Sequence, residues 1–304
     1  MSDASSPGCI PDLGASRPPI RQDHVPRAIA YMIDATIAFA ISSATSKWLV
    51  ASYPIGEVLF TRTAVSLFAL LLVILPRVGL AAFRTKRLRH HVMRSFSQGC
   101  SQAFLLIAFS LMPLASAVAI NFSAPLFIVL ISVLVLKERV GFSRATALIV
   151  GFLGILIVTH PGAETFQIGA IFALANAVLY ASVTVAVRGM TATESTETLT
   201  TYQLVLLTAI FALLLPFGAT MPDTGDAALM LFNGLTNAAG QYWWTKSLHL
   251  APTSALAPFQ YLSLVWALLI GFLVWGDAPT AALLAGSAVV VGSGLFLLWR
   301  EAAR

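Results

Sequence analysis

Two ionisable side chains sit where the chain is otherwise apolar. Asp34 is the only acid well inside a long apolar run, and Arg62 is the only comparably embedded cation. A charge at the centre of a membrane-spanning helix costs about 2.5 to 3.5 kcal/mol on insertion scales, so each needs a partner or water. The chemistry open to Asp34 is proton or substrate coupling, and to Arg62 the recognition of an anion or a carbonyl. The structural alternative is an ion pair, or for Asp34 a position shallow enough to touch water.

Amide side chains form the second group. Gln98 and Gln102 lie four apart, as do Asn237 and Gln241, so each pair shares one helix face. Facing each other, the two patches would offer donors and acceptors to an uncharged polar ligand; hydrogen bonding between helices is the alternative. Asn121 and Asn176 carry less weight. Among the aromatic residues, Tyr180, Tyr261 and Trp266 fall deep in apolar runs and could stack on a flat ligand, or simply pack. Trp243 and Trp244 read as an interfacial belt.

Composition shows what positions these groups. Apolar residues make up 58% of 304, charged residues only 10%, and mean hydropathy is +0.85. Soluble domains carry about 25% charge, so the chain is read as an all-α integral membrane protein. A window of about 20 residues, the length that crosses roughly 30 Å of hydrocarbon, predicts ten spans: 28–49, 57–76, 94–112, 116–136, 143–160, 168–187, 199–216, 227–248, 254–275 and 279–299. Residues 1–27, rich in Pro, Ser and Asp and without the apolar core of a signal peptide, read as a disordered tail, and 300–304 as a short C-terminal one.

The cations orient the spans. Arg17, Arg21 and Arg27 precede the first; Arg77, Arg84, Lys86, Arg87, Arg89 and Arg94 are read as the loop after the second, and Lys137, Arg139 and Arg144 follow the fourth. Arg188, Lys246, Arg300 and Arg304 fall on the same side when ten helices are threaded. That side is the cytoplasm, which places both termini inside; Lys47 is left at the outer end of the first helix.

The chain also repeats itself. Ser116-Ala117 and Ser254-Ala255 each lead into a proline-bearing apolar run that ends on an acid, Glu138 or Asp277. Two five-helix repeats are expected, 28–160 and 168–299. Five is odd, so the second is inverted, and the segment matching the cation-rich loop, 217–226, holds Asp223 and Asp226 but no Lys or Arg. Inverted repeats recur in secondary transporters. Pro125 and Pro258 are expected to kink their helices. Gly151 and Gly154, with Gly286, Gly292 and Gly294, would permit close helix approach.

Several classes are disfavoured. Net charge is +5, yet no soluble basic domain exists to hold nucleic acid. Cys9 and Cys100 build no disulfide framework. The five His are scattered apart from His90 and His91, read as part of a basic loop, and show no zinc spacing. Nothing matches a phosphate-binding glycine loop or a Ser-His-Asp set, so neither an enzyme nor a metal or other cofactor is expected.

"PIGEVLFTR" at the second helix, "LMPLASAVAINFSAPLFIVLISVLVLKERV" across the fourth and "HLAPTSALAPFQYLSLVWALLIGFLVWGDAPT" across the ninth resemble the EamA-type drug/metabolite transporters from about Ala28 to Trp299. The resemblance implies ten helices in two inverted halves that move small organic metabolites across the bacterial inner membrane. The family's acidic-basic pair is matched by Glu138-Arg139, whereas the second copy keeps Asp277 and has Ala278. The same segments look like the branch that includes riboflavin and S-adenosylmethionine uptake proteins. Riboflavin uptake is the expected activity. S-adenosylmethionine uptake, or efflux of amino acids, drugs or other metabolites, is the alternative within the fold; a channel, a membrane enzyme or a non-transporting scaffold lies outside it. The expected partners are a small-molecule substrate and the lipid bilayer, in a monomer or homodimer.

Overall fold

The computed structural model describes residues 25–79, 83, 85, 87–124, 126–127, 130–131, 142–159, 168–190, 194–250, 256 and 259–302. The kinks expected at Pro125 and Pro258, the Glu138-Arg139 pair with Lys137, loop 161–167, Cys9 and most of both tails lie outside them.

The described chain is helical. In order the helices are α1 (Val25–Leu49), α2 (Ile55–Val78), α3 (Leu88–Leu111), α4 (Leu114–Asn121), α5 (Phe142–Thr159), α6 (Ile168–Met190), α7 (Thr196–Ala212), α8 (Thr224–Leu250), α9 (Leu262–Trp275) and α10 (Ala281–Ala302). α1 has 25 residues, about 37 Å at 1.5 Å per residue, which exceeds the roughly 30 Å of a hydrocarbon core. Its bounds and those of α2 agree within three residues with the spans expected from hydropathy.

Local chemistry sets several ends. At α7 the Ser195 hydroxyl accepts a hydrogen bond from Thr198 N at 3.2 Å, satisfying one of the free donors of a first turn. α9 ends at Gly276, whose φ of +70° is left-handed. Gly276 N donates to Phe272 O at 3.0 Å and Asp277 N to Gly271 O at 3.2 Å, the paired closure that a C-terminal glycine permits. α4 stops at Asn121, four residues before Pro125. A proline ring collides with the carbonyl four residues back, so the span expected as one run from 116 to 136 is interrupted at Phe122 and Ser123.

α1, α3 and α7 start at one end of the bundle, and α2 and α8 at the other. Met32 and Ala28 at the start of α1 pack in one cluster with Trp244 and Leu250 at the end of α8, and Arg94 near the start of α3 reaches Leu199 near the start of α7. We call this the near end. At the far end, Tyr53 after α1 meets Asp226 at the start of α8, and Glu57 at the start of α2 meets Thr220.

Among the described residues, four stretches are both long and apolar enough to cross a membrane, 26–49, 55–73, 168–186 and 197–217, with shorter apolar stretches at 149–158, 262–275 and 281–296. α3 and α8 have the length without the apolarity, because Arg94, Gln98 and Gln102 on one and Asn233, Asn237 and Gln241 on the other interrupt them. Large apolar side chains such as Phe68, Leu72, Leu153, Phe272 and Leu273 are exposed, the arrangement required where lipid is the solvent. The interior of the far half is dry, packed around Leu59, Leu106, Phe109, Leu114, Leu207 and Phe211.

α5 and α10 touch through glycine. A Cβ on Gly286 would lie 2.8 Å from Gly154 O and 2.9 Å from Val158 N, and one on Gly154 would lie 3.0 Å from Val290 N. These contacts are with backbone, which cannot step aside. Gly286→Leu is therefore expected to lower stability by about 1 to 3 kcal/mol or more, read as a lower melting temperature of the purified protein. Gly292→Ala, with open space around its Cβ, should leave it unchanged.

Candidate functional site

The site is built on a polar stripe along α3. Arg94, Gln98 and Gln102 follow one another at four-residue spacing and all face one cavity of about 600 Å³. α1, α2, α6, α7 and α8 supply most of the remaining wall. At the near end the wall is formed by Met32, Arg94, Thr184, Thr200, Gln203 and Trp244; deeper, it is formed by Ser42, Arg62, Gln102, Phe109, Asn121 and Phe122.

Arg62, 8% exposed, is held entirely by neutral groups. Its Nη2 donates to Gln102 Oε1 at 2.8 Å and its Nη1 to Ser46 Oγ at 3.4 Å. Asn233 continues the chain: its Nδ2 donates to Ser46 Oγ at 3.0 Å, and its Oδ1 accepts from Ser42 Oγ at 2.7 Å. α1, α2, α3 and α8 are thus joined through one connected set of polar atoms, which low dielectric strengthens as long as each member is satisfied.

A second set joins α3, α4 and α6. Ser101 Oγ donates to Asn176 Oδ1 at 2.6 Å, and Asn176 Nδ2 donates to Asn121 Oδ1 at 2.7 Å. Asn237 Nδ2 donates to Ser66 Oγ at 2.8 Å, and Ser66 Oγ to Gly234 O at 2.9 Å. The crossing of α1 with α8 is fastened by Ser42 and Ser46 on Asn233, and that of α3 with α6 by Ser101 on Asn176.

Of the residues singled out from the sequence, Arg62, Gln98, Gln102, Tyr180, Asn237 and Gln241 line the cavity together. Tyr261 and Trp266 stand behind its wall. The Tyr261 ring lies 5.0 Å from that of Phe122, and Trp266 Nε1 donates to Thr36 Oγ1 at 3.1 Å; Phe122 and Thr36 face the cavity. Asp34 is exposed on α1 and does not belong to the cavity wall, so the ion pair with Arg62 considered from the sequence is not formed.

Arg94 is the residue that sequence reasoning missed. It was expected in the loop after α2, but α3 begins at Leu88 and carries His90, His91 and Arg94 inside the helix. Arg94 is 7% exposed. Its Nη1 donates to Leu199 O at 3.3 Å, and its Nη2 to Gln203 Oε1. The signal was present: Arg94 extends the Gln98 and Gln102 spacing by one further step of four.

The far end is closed. Lys47 Nζ donates to Met112 O at 2.9 Å, lies 4.0 Å from Asp277 Oδ2, and sits 5.1 Å from the centre of the Trp275 ring. Trp48 packs on Trp275 with ring centres 6.4 Å apart. Beyond them, Tyr53 Oη donates to Asp226 Oδ2 at 2.7 Å, and Glu57 Oε2 accepts from Thr220 N at 3.0 Å. The bond to Asp226 raises the Tyr53 phenol above its ordinary value, which keeps it protonated and donating. None of these residues lines the cavity. Among the described residues, no group of three His, Cys, Asp or Glu is placed to hold a metal ion.

Apolar helices of membrane length around an interior cavity that carries amides and two arginines fit a membrane transporter. The chain belongs to the EamA-like transporter family, whose family model matches residues 26–160 and again 167–299. It is 31% identical over 277 residues to a riboflavin transporter of Rhizobium johnstonii, covering 90% of this chain and 91% of that one. It is 29% identical to a riboflavin transporter of Vibrio cholerae over 90% and 93% of the two chains, and 24% identical to an S-adenosylmethionine uptake transporter of Rickettsia bellii over 90% and 94%. A solved crystal structure with 20% identity superposes with a TM-score of 0.62, covering 92% of this chain and 99% of that one; at that identity the likeness is one of fold.

Asn233 accepts from Ser42 and donates to Ser46, so Asn233→Ala removes the side-chain acceptor of the buried Ser42 hydroxyl and leaves Ser46 with Arg62. Each unsatisfied group costs about 1 to 3 kcal/mol. The variant should melt lower than wild type in detergent.

Proposed function

We propose that the protein imports a flavin such as riboflavin across the bacterial inner membrane by alternating access. The observation that carries the reading is the cavity: an amide-rich interior site, open toward the near end, in a chain whose relatives at 28 to 31% identity are named riboflavin transporters. Gln98, Gln102 and Gln241 offer the donors and acceptors that ring carbonyls and ring nitrogens need. Tyr180 and the wall residue Phe122, backed by Tyr261, offer aromatic surface.

In this reading ten spans form two inverted halves, 28–160 and 168–299, with short tails outside them. Helix pairing supports it. Exchanging the halves maps α1 onto α6 and α3 onto α8, and the α1–α8 crossing has its counterpart in α3–α6, each with a Ser–Asn bond. The cavity reaches from the near end to mid-bundle while the far end is shut, as one of the two states of an alternating carrier requires. Described cations Arg87, Arg89 and Arg94 gather at the near end, which supports placing that end, and both termini, in the cytoplasm. Transport then needs the Lys47, Asp277 and Trp275 contacts to part and the near end to close.

S-adenosylmethionine is the second reading, favoured by the Rickettsia relatives. Its sulfonium and ammonium groups suit a cavity with carboxylates; this one presents Arg62 and Arg94 instead.

Expression in a riboflavin-auxotrophic bacterium that lacks its own importer tests the proposal. Wild type should support growth on low riboflavin, and Gln102→Ala, which frees Arg62 and removes a wall amide, should raise the concentration needed by roughly three- to a hundredfold. Asp34→Asn, outside the cavity, should grow like wild type. Failure of the wild-type protein to support growth, once its presence in the membrane is shown, rejects riboflavin. The closure has its own test: Asp277→Asn should weaken the far-end contact, so that a cysteine placed at Ser42 reacts faster with an impermeant reagent added outside intact cells. Unchanged labelling would show that the ion pair does not hold the far end.

A further inference from the structure

Among the described residues, the cavity holds two guanidinium groups and no carboxylate. Arg62 and Arg94 are 8% and 7% exposed, both line the same space, and every hydrogen bond described for them ends on a neutral atom. The Nε atoms of both are buried without a partner. Among the described residues, no Asp or Glu lines the cavity, and the ion pair between Lys47 and Asp277 belongs to the far end. A buried charge left uncompensated is expensive, and its remaining N–H groups must find acceptors. An unliganded cavity meets that cost only with water; an anionic ligand would meet it with both charge and acceptors.

The two groups are not equivalent. Arg62 sits deep and is tied to Gln102, beside the amides of Gln98 and Asn237. Arg94 lies eight residues before Gln102 on the same helix face, about 12 Å away along the axis, and lines the near-end part of the cavity with Thr184 and Thr200. A ring system fits between the two poles, its carbonyls toward Arg62 and the wall amides. A charged substituent then falls at Arg94, where a planar guanidinium fork suits an oxyanion better than a point charge would.

We infer that Arg94 is an anion-binding residue of the cavity, and that the preferred ligand is a planar heteroaromatic molecule carrying a phosphate or carboxylate. The inference rests on the carrier reading and narrows its substrate class. A neutral flavin occupies the ring position only and leaves Arg94 unmatched.

The test uses the full-length protein in detergent or nanodiscs and measures binding of riboflavin, flavin mononucleotide and a carboxymethyl-substituted flavin by quenching of flavin fluorescence. Flavin mononucleotide should bind about tenfold more tightly than riboflavin, the size of effect expected from a hydrogen bond to a charged group. The carboxymethyl flavin shows whether any oxyanion serves or phosphate alone. Arg94→Gln should erase the preference, Arg94→Lys should keep part of it, and Arg62→Gln should weaken all three ligands alike. The ratio is read within one protein sample, so partial misfolding does not mimic the result. Riboflavin binding as well as its anionic analogues, or better, overturns the inference and leaves the flavin reading standing. If no flavin binds, the flavin reading fails. The anion inference is then decided by melting temperatures with adenosine and adenosine monophosphate, where absence of a larger, Arg94-dependent shift with the phosphate overturns it.

Discussion

A polar atom inside an apolar bundle has nowhere to go but another polar atom. That constraint organises the molecule around Arg62, whose guanidinium is too costly to leave bare and, among the described residues, is bonded only by neutral groups. Gln102, Ser46, Asn233 and Ser42 form a chain of neutral partners from α3 to α8, and every link also fixes how one helix lies against the next. The residues that make the cavity polar are the same ones that hold its walls together. The cavity lining and the bundle geometry share atoms, so a change that reshapes one reshapes the other.

The bundle closes differently at its two ends because its chemistry differs there. At the far end a lysine, an aspartate, two tryptophans and a backbone carbonyl interlock, placed by the left-handed turn at Gly276 that brings Asp277 toward Lys47. The contact is partly solvated, with the two side chains 13% and 29% exposed. At 4.0 Å between Lys47 Nζ and Asp277 Oδ2 the ion pair is long, and the aspartate oxygen that faces the lysine is buried. The apolar core of Leu106, Phe109 and Phe211 packs beneath it.

Much of this was legible before any coordinates. Apolar runs of membrane length marked α1, α2, α6 and α7, and the four-residue spacing of Gln98 with Gln102 and of Asn237 with Gln241 placed four amides on one cavity wall. Three things were not legible. Arg94 was counted with the loop cations because hydropathy cannot tell a cation in the first turns of a helix from one just outside it; only the contacts from α7 make it an interior residue. Asp34 drew attention as a lone acid in an apolar run, yet which face of α1 is buried depends on α8 and α9, and that face leaves Asp34 outside. The break after Asn121 follows from Pro125 by steric argument, but a hydropathy window smooths across it.

The central claim is that the cavity is the substrate site of a carrier, and counterflow measures this most directly. Purified protein is reconstituted into liposomes loaded with unlabelled riboflavin and diluted into a trace of labelled riboflavin. A carrier whose site faces one side at a time exchanges label inward faster than the internal pool drains, so the account predicts a transient accumulation of label above its equilibrium level. Label that rises smoothly to equilibrium without overshoot, from vesicles shown to contain folded protein, would contradict it.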